Sequence, residues 1–137
     1  MQPLLHHVGI AVPDVAAAAD DYVNRFGYRV CSAVIHDPVQ TAYVQFLEGA
    51  TSHTLIELVA PDGPESKLAG AVRKGGGLNH LCYLTDDIEA DCAALRAAKM
   101  FVLQSPVAAA AFPGRRIAWL MGADGIPIEL VERGGGL

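Results

Sequence analysis

From residue 5 to residue 12 the chain alternates. His7, Gly9 and Ala11 fall on one face and Val8, Ile10 and Val12 on the other, which is the period of a β-strand. The pattern then changes to a helical one. Asp14 stands where a helix cap is needed, Val15, Ala19, Tyr22, Val23 and Phe26 form an apolar stripe, and Gly27 supplies the stop. Three runs rich in strand formers follow, over residues 28–35, 41–47 and 54–60, with turn residues at Asp37-Pro38 and across 48–52. The first half therefore predicts the order β-α-β-β-β, with the helix on the sheet face that bears Val8 and Ile10.

The same order recurs after a segment holding Pro61, Pro64 and the glycines 75–77. It comprises a strand over 78–85, a helix from Ile88 through Cys92 and Leu95 to Ala98 capped by Asp86 or Asp87, and strands near 101–104, 116–121 and 126–131. Lys99-Met100 occupies the place of the expected helix-stopping glycine. Residues 104–115 read as a long connection, and such a loop in a small domain is usually functional or mobile. The fold class implied is α+β. Two βαβββ modules, at about residues 1–61 and 77–133 with a linker over 62–76, are related by an internal pseudo-twofold. The 137 residues are expected to form one domain, with paired curved mixed sheets around a shared cup.

Composition narrows the function. At 52% hydrophobic residues and a formal net charge of −5 the chain can bury a core but offers no basic stripe, which argues against nucleic acid as a partner. It has no apolar run long enough to span a membrane and no secretion-signal pattern, so a cytoplasmic protein is expected. Cys31, Cys82 and Cys92 are odd in number and form no CxxC pair, which fits reduced thiols.

The repeat also carries candidate chemistry. His7 and His80 open their modules, each followed at the same distance by an acid, Asp14 or Asp87. Each module closes on a strand with one glutamate in apolar company, Glu57 between Ile56 and Leu58 and Glu129 between Ile128 and Leu130. A carboxylate in such a strand must be paired, hydrogen-bonded or bound to a cation. Two such carboxylates, matched by two histidines at intervals that differ by one residue, point to one shared divalent ion. The alternative is a pair of structural Glu–His ion pairs. His6, His36 and His53 have no symmetric counterpart and read as surface or locally hydrogen-bonded residues. Arg115 and Arg116, beside the long loop, are candidates to hold a carboxylate or phosphate in forked geometry, the alternative being a solvated pair at a strand start. Tyr43, Gln45, Cys82 and Trp119 either line the cup or fill the core, with core favoured for Trp119.

The sequence resembles the vicinal oxygen chelate superfamily, which includes glyoxalase I, methylmalonyl-CoA epimerases, extradiol dioxygenases and bleomycin-resistance proteins. The epimerase branch is the most similar, through His7-Val8-Gly9-Ile10-Ala11-Val12, Ile56-Glu57-Leu58-Val59-Ala60-Pro61, Gly77-Leu78-Asn79-His80, Asp86-Asp87-Ile88-Glu89-Ala90, Arg116-Ile117-Ala118-Trp119-Leu120 and Gly125-Ile126-Pro127-Ile128-Glu129-Leu130. The resemblance implies His7, Glu57, His80 and Glu129 as ligands of one divalent metal ion (Co, Zn, Ni, Mn or Mg). It implies a small-molecule substrate chelated through two neighbouring oxygens, and a homodimer. Metal-stabilised enolate chemistry on a 2-carboxyacyl-CoA thioester is then expected, with Glu129 as base and Glu57 acting from the opposite face. A glyoxalase I-type lactoylglutathione lyase shares every ligand, and a non-catalytic small-molecule binding or resistance protein is the third reading. Three departures from the epimerase pattern stand out. Asn79-His80 replaces a double histidine, Met121-Gly122 replaces a His-Pro pair, and Val44 stands where some epimerases carry an acid–base glutamate.

Overall fold

A computed structural model describes residues 3–137. By its internal contacts the chain divides into two compact units, His7–Asn79, and His80–Leu137 together with the N-terminal residues through His6.

The first module runs β1 (Leu4–Ala11), which belongs to the first unit from His7 onward, then α1 (Val15–Phe26), β2 (Arg29–Val30), β3 (Ile35–Asp37), β4 (Ala42–Glu48), β5 (Leu55–Pro61) and the short α2 (Ala69–Arg73). β1 and β5 run parallel, β4 and β5 antiparallel, and β2 and β3 both pair with β4, which makes the sheet mixed. The Asp14 carboxylate accepts from the Ala17 amide at 3.0 Å, and Gly27 closes α1 at φ 70°. A cap of this kind contributes about 1 kcal/mol. Val15, Ala19 and Tyr22 pack on Leu47, Leu58, Ala60 and Ile10, so the helix covers the face predicted for it. Val23 and Phe26, expected in the same stripe, stand exposed at the helix's last turns.

The single strand expected over 28–35 is broken in two. Between the pieces the Ser32 hydroxyl, rather than a main-chain carbonyl, accepts from the Phe46 amide at 2.9 Å, and the ladder resumes only at Ile35. The segment after β5 ends on three glycines with positive φ. At Gly76 a Cβ would lie 2.4 Å from the Ala11 carbonyl oxygen, so no other residue allows that approach to β1.

The second unit repeats the order as β6 (Gly77–Thr85), α3 (Ile88–Ala97), β7 (Phe101–Ala108), β8 (Arg116–Met121) and β9 (Pro127–Glu132). Its strands are ordered β6-β9-β8-β7, with β6 and β9 parallel and the other pairs antiparallel. Asp87 is the cap, accepting from the Ala90 amide at 3.0 Å. Ile88 and Cys92 pack on Ala118, Leu120 and Leu130. Lys99 takes the left-handed conformation of the missing glycine, at φ 74°. The long connection expected over 104–115 is corrected to about half that length, because β7 continues to Ala108 with register shifts around Gln104. Pro106 is tolerated there because β7 is an edge strand. The fold class is α+β with two modules of the same element order, as the repeat predicts. Among the described residues no helix is long and apolar enough to cross a membrane.

Candidate metal centre

Strand alternation decides which side chains accompany each glutamate. On β5 the side chain of Glu57 shares a face with Leu55 and Val59, and cross-strand pairing places Val44 opposite Val59 and Phe46 opposite Glu57. Gly9 of β1 is the parallel partner of Glu57. His7 comes to the same face, with its Nε2 3.5 Å from Glu57 Oε1 and its ring edge-on to Phe46, the centroids 5.3 Å apart at 75°. His7 is 0% exposed and Glu57 6%.

The second unit builds the same arrangement from its own strands. Trp119 of β8 is opposite Glu129 of β9, and Cys82 of β6 is its parallel partner. His80 Nε2 is 3.6 Å from Glu129 Oε1, and the His80 ring is edge-on to Trp119 at 4.9 Å and 77°. His80 is 2% exposed and Glu129 5%. Phe46 and Trp119 are therefore equivalent side chains. Each sits across from its module's glutamate and holds its module's imidazole on edge. Phe46 was not singled out from the sequence; the signal was its position in β4, which corresponds to that of Trp119 in β8.

Both N–O separations exceed the 2.7–2.9 Å or so of a charge-assisted hydrogen bond. Two atoms coordinated at about 2.0–2.2 Å to one ion lie roughly 3–3.5 Å apart. The nitrogen and carboxylate donor types suit a divalent first-row ion or magnesium. Each pair thus fits co-ligands of a cation better than it fits a direct ion pair.

The residues expected to bind substrate are placed differently. On β4, Tyr43 and Gln45 pair with Ala60 and Leu58, the helix-covered face, so alternation turns them away from Glu57. Tyr43 packs on His36 and Gln45 donates to the Ser32 carbonyl. On β8, Arg116 precedes Ile117 and so lies on the face of Ala118 and Leu120, away from Glu129. There it is held by Glu89 of α3, with contacts of 2.5 and 3.0 Å, and by Glu132, with contacts of 2.9 and 3.2 Å. Hydrogen bonds that Arg116 donates to Glu132 first and to Glu89 second push its pKa up, and Arg116 holds both carboxyls below their usual range. Arg115 is neither solvated nor forked toward a ligand. It is buried over the Phe112 ring and donates to the main-chain carbonyls of Glu132 and Leu137, and burial pushes its pKa down. A period of two thus places Tyr43, Gln45 and Arg116 on the helix-covered faces, away from the glutamate of their module, while Arg115 is tied to main-chain carbonyls near the C-terminus. Of the histidines read as surface or locally hydrogen-bonded residues, His6 is buried edge-on to Phe112 and His36 bonds Asp62 at 2.9 Å.

The chain is similar to known proteins along most of its length. A profile described as Glyoxalase/Bleomycin resistance protein/Dioxygenase superfamily matches residues 6–119. An ethylmalonyl-CoA/methylmalonyl-CoA epimerase of Cereibacter sphaeroides is 37% identical over 132 residues, 93% of this chain and 96% of that protein. Among solved structures, methylmalonyl-CoA epimerase from Mycobacterium tuberculosis superposes with a TM-score of 0.83 at 29% identity, covering 95% of this chain and 87% of that one. A variant of the Streptomyces coelicolor methylmalonyl-CoA epimerase in complex with 2-nitronate-propionyl-CoA gives a TM-score of 0.82 at 25% identity, covering 96% and 97%. With the duplicated βαβββ order, a profile match over most of its length and a curated relative 37% identical over 93% of it, this chain belongs to the glyoxalase/bleomycin resistance protein/dioxygenase superfamily.

Proposed function

We propose that the protein is an epimerase of 2-carboxyacyl-CoA thioesters of the methylmalonyl-CoA kind, working with one divalent cation held by His7, Glu57, His80 and Glu129. The observation that carries this reading is the duplicated His–Glu pair, buried in both modules at a separation suited to shared coordination. The thioester is inferred from the epimerases that this chain resembles over most of their length and from the acyl-CoA analogue bound to one of them.

Epimerisation removes the proton on the carbon between two carbonyls and returns one to the opposite face. A divalent cation bound by the four residues would supply Lewis acidity for the enolate oxygen. The proton transfers fall to this chain's own carboxylates. Glu129 takes the proton and Glu57, its equivalent in the first module, delivers one from the other side. Both imidazoles are fixed edge-on by Phe46 and Trp119, which keeps their nitrogens aimed without a change of rotamer. A homodimer is the proposed assembly, supported by Phe101 and Leu103, exposed on the β7 edge strand.

The test is incubation of the protein with methylmalonyl-CoA and a divalent metal in deuterated water, with the α-proton followed by NMR. The expected outcome is exchange that Glu129→Gln abolishes for the epimer whose proton faces residue 129. Absence of exchange with any acyl-CoA, together with turnover of a hemithioacetal, would transfer the assignment to a lyase.

A further inference from the structure

The two modules differ in one atom type at the equivalent position beside the histidine. Phe46 presents only carbon to His7, whereas Trp119 adds an indole N–H next to His80. The edge-on geometry is nearly the same, 75° and 77°, so holding the imidazole requires a flat ring and no nitrogen. Phenylalanine performs that task in the first module. The nitrogen of Trp119 therefore needs a separate explanation.

Trp119 Nε1 is buried, and among the described residues it has no hydrogen-bond acceptor. Buried donors left unmet are rare in folded proteins, because desolvation is uncompensated, and each one calls for a partner. Its surroundings on this sheet face are poor in acceptors. Ile117 lies on the same face of its own strand, paired with Val131 of β9. Cys82, level with Glu129 on β6, offers only a thiol. The Glu129 carboxylate is across the strand pair, and the indole does not donate to it.

We propose that the Trp119 indole N–H is a substrate-binding donor, held dry beside His80 and Glu129 to hydrogen-bond an oxygen of the bound thioester substrate. This rests on the reading of His80 and Glu129 as cation ligands. An oxygen that joins the coordination sphere completed by these residues lies within a few ångströms of the His80 ring, and the indole packs directly on that ring. A neutral donor of this kind gains strength as negative charge grows on the oxygen during enolate formation, without presenting a competing cation. Because the first module has no such donor, the N–H also breaks the pseudo-twofold symmetry of the ligand set. Trp119 thereby selects which of the substrate's two oxygens faces the second module.

Trp119 is the only tryptophan in the chain, so a single indole N–H resonance reports on it. The experiment titrates methylmalonyl-CoA into the 15N-labelled, Zn2+-loaded protein. The indole proton is expected to move downfield and its exchange with water to slow as the thioester binds. In parallel, Trp119→Phe keeps the ring and removes the donor. It is expected to weaken the thioester's Kd and KM roughly fivefold to tenfold, with the Zn2+ Kd changed less than about twofold. If methylmalonyl-CoA shifts other resonances while the indole N–H stays fixed, or if Trp119→Phe binds as the parent does, the proposal fails and the epimerase reading survives. If no resonance responds to the thioester, both fall together.

Discussion

Replacing Glu129 by glutamine distinguishes a cation ligand from a structural ion pair, because the two roles predict opposite patterns of stability. Glu129 is 5% exposed and its Oε1 is 3.6 Å from His80 Nε2. Were this contact a buried ion pair that stabilises the fold, removal of the carboxylate would leave an uncompensated partner and cost about 3–5 kcal/mol, with or without metal. At 3.6 Å the contact is longer than a charge-assisted hydrogen bond and suits two ligands of one cation. A carboxylate placed to meet a cation is a burden to the metal-free fold, so glutamine is expected to change stability in EDTA by no more than about 1 kcal/mol in either direction. The difference arises on adding metal. At a free ion concentration 100 times Kd, binding to the native state alone stabilises by about 2.7 kcal/mol. In a domain of this size that corresponds to a rise in Tm of roughly 10 °C. Glu129→Gln is expected to lose most of that rise while melting near the parent in EDTA, as read by differential scanning calorimetry with and without Zn2+ or Co2+. A variant that is several kcal/mol less stable in EDTA, and that still gains the parent's full rise with metal, would refute the reasoning. Glu57→Gln should behave in the same way, because His7 and Glu57 repeat the geometry at 3.5 Å.

Two further outcomes follow from residues outside the centre. Arg116→Met removes the partner that holds Glu89 and Glu132 below their usual carboxyl range, so the stability lost in the variant should be fully present above pH 4.5 or so, fade as the pH falls through the depressed values, and shrink in high salt, as checked by thermal melts between pH 7 and pH 3. Lys99→Gly places the residue suited to φ 74° at the end of α3 and should stabilise the protein by about 1 kcal/mol in chemical denaturation.

The parts of the fold that could be read from the chain are those whose signal is local. Asp14 and Asp87 cap the two helices, and the period-two runs of β1, β5, β6 and β9 place His7, Glu57, His80 and Glu129 in strands, because caps and alternation act over a few residues. What could not be read depends on pairing between strands. The break in the strand after Gly27 comes from the Ser32 hydroxyl replacing a ladder carbonyl, and the extension of β7 through Pro106 comes from its edge position. For Tyr43 and Gln45 the sequence leaves two places open, the lining of the cup and the core. The register against β5 sends them to the other face, and an error of one residue in a strand has that effect on every side chain. Arg116 shows the same limit from another direction. Its two carboxylate partners come from α3 and β9, elements that only the tertiary fold brings to it.

The register also constrains how the proposed reaction moves its protons. An epimerase needs two acid–base groups, and a third-strand glutamate could have been one of them. In this chain that position is Val44, which lies opposite Val59 on the face of Glu57. The equivalent residue of the second module is Ile117, opposite Val131 on the face of Glu129. Both positions are apolar and buried, so neither module offers an extra carboxyl from its β4 or β8 strand on the face that matters. Among the described residues, each module adds its own histidine and aromatic ring to the face of its glutamate, His7 with Phe46 in the first and His80 with Trp119 in the second. The histidines are held edge-on by aromatic rings, which suits a fixed ligand and hinders a base that must turn between two partners. A carboxylate differs, since one oxygen can bind while the other exchanges a proton. On this reading Glu57 and Glu129 serve both as ligands and as proton carriers. Loss of either should therefore abolish epimerisation, even at metal concentrations that restore occupancy, while the carboxylate that remains still exchanges the proton on its own face.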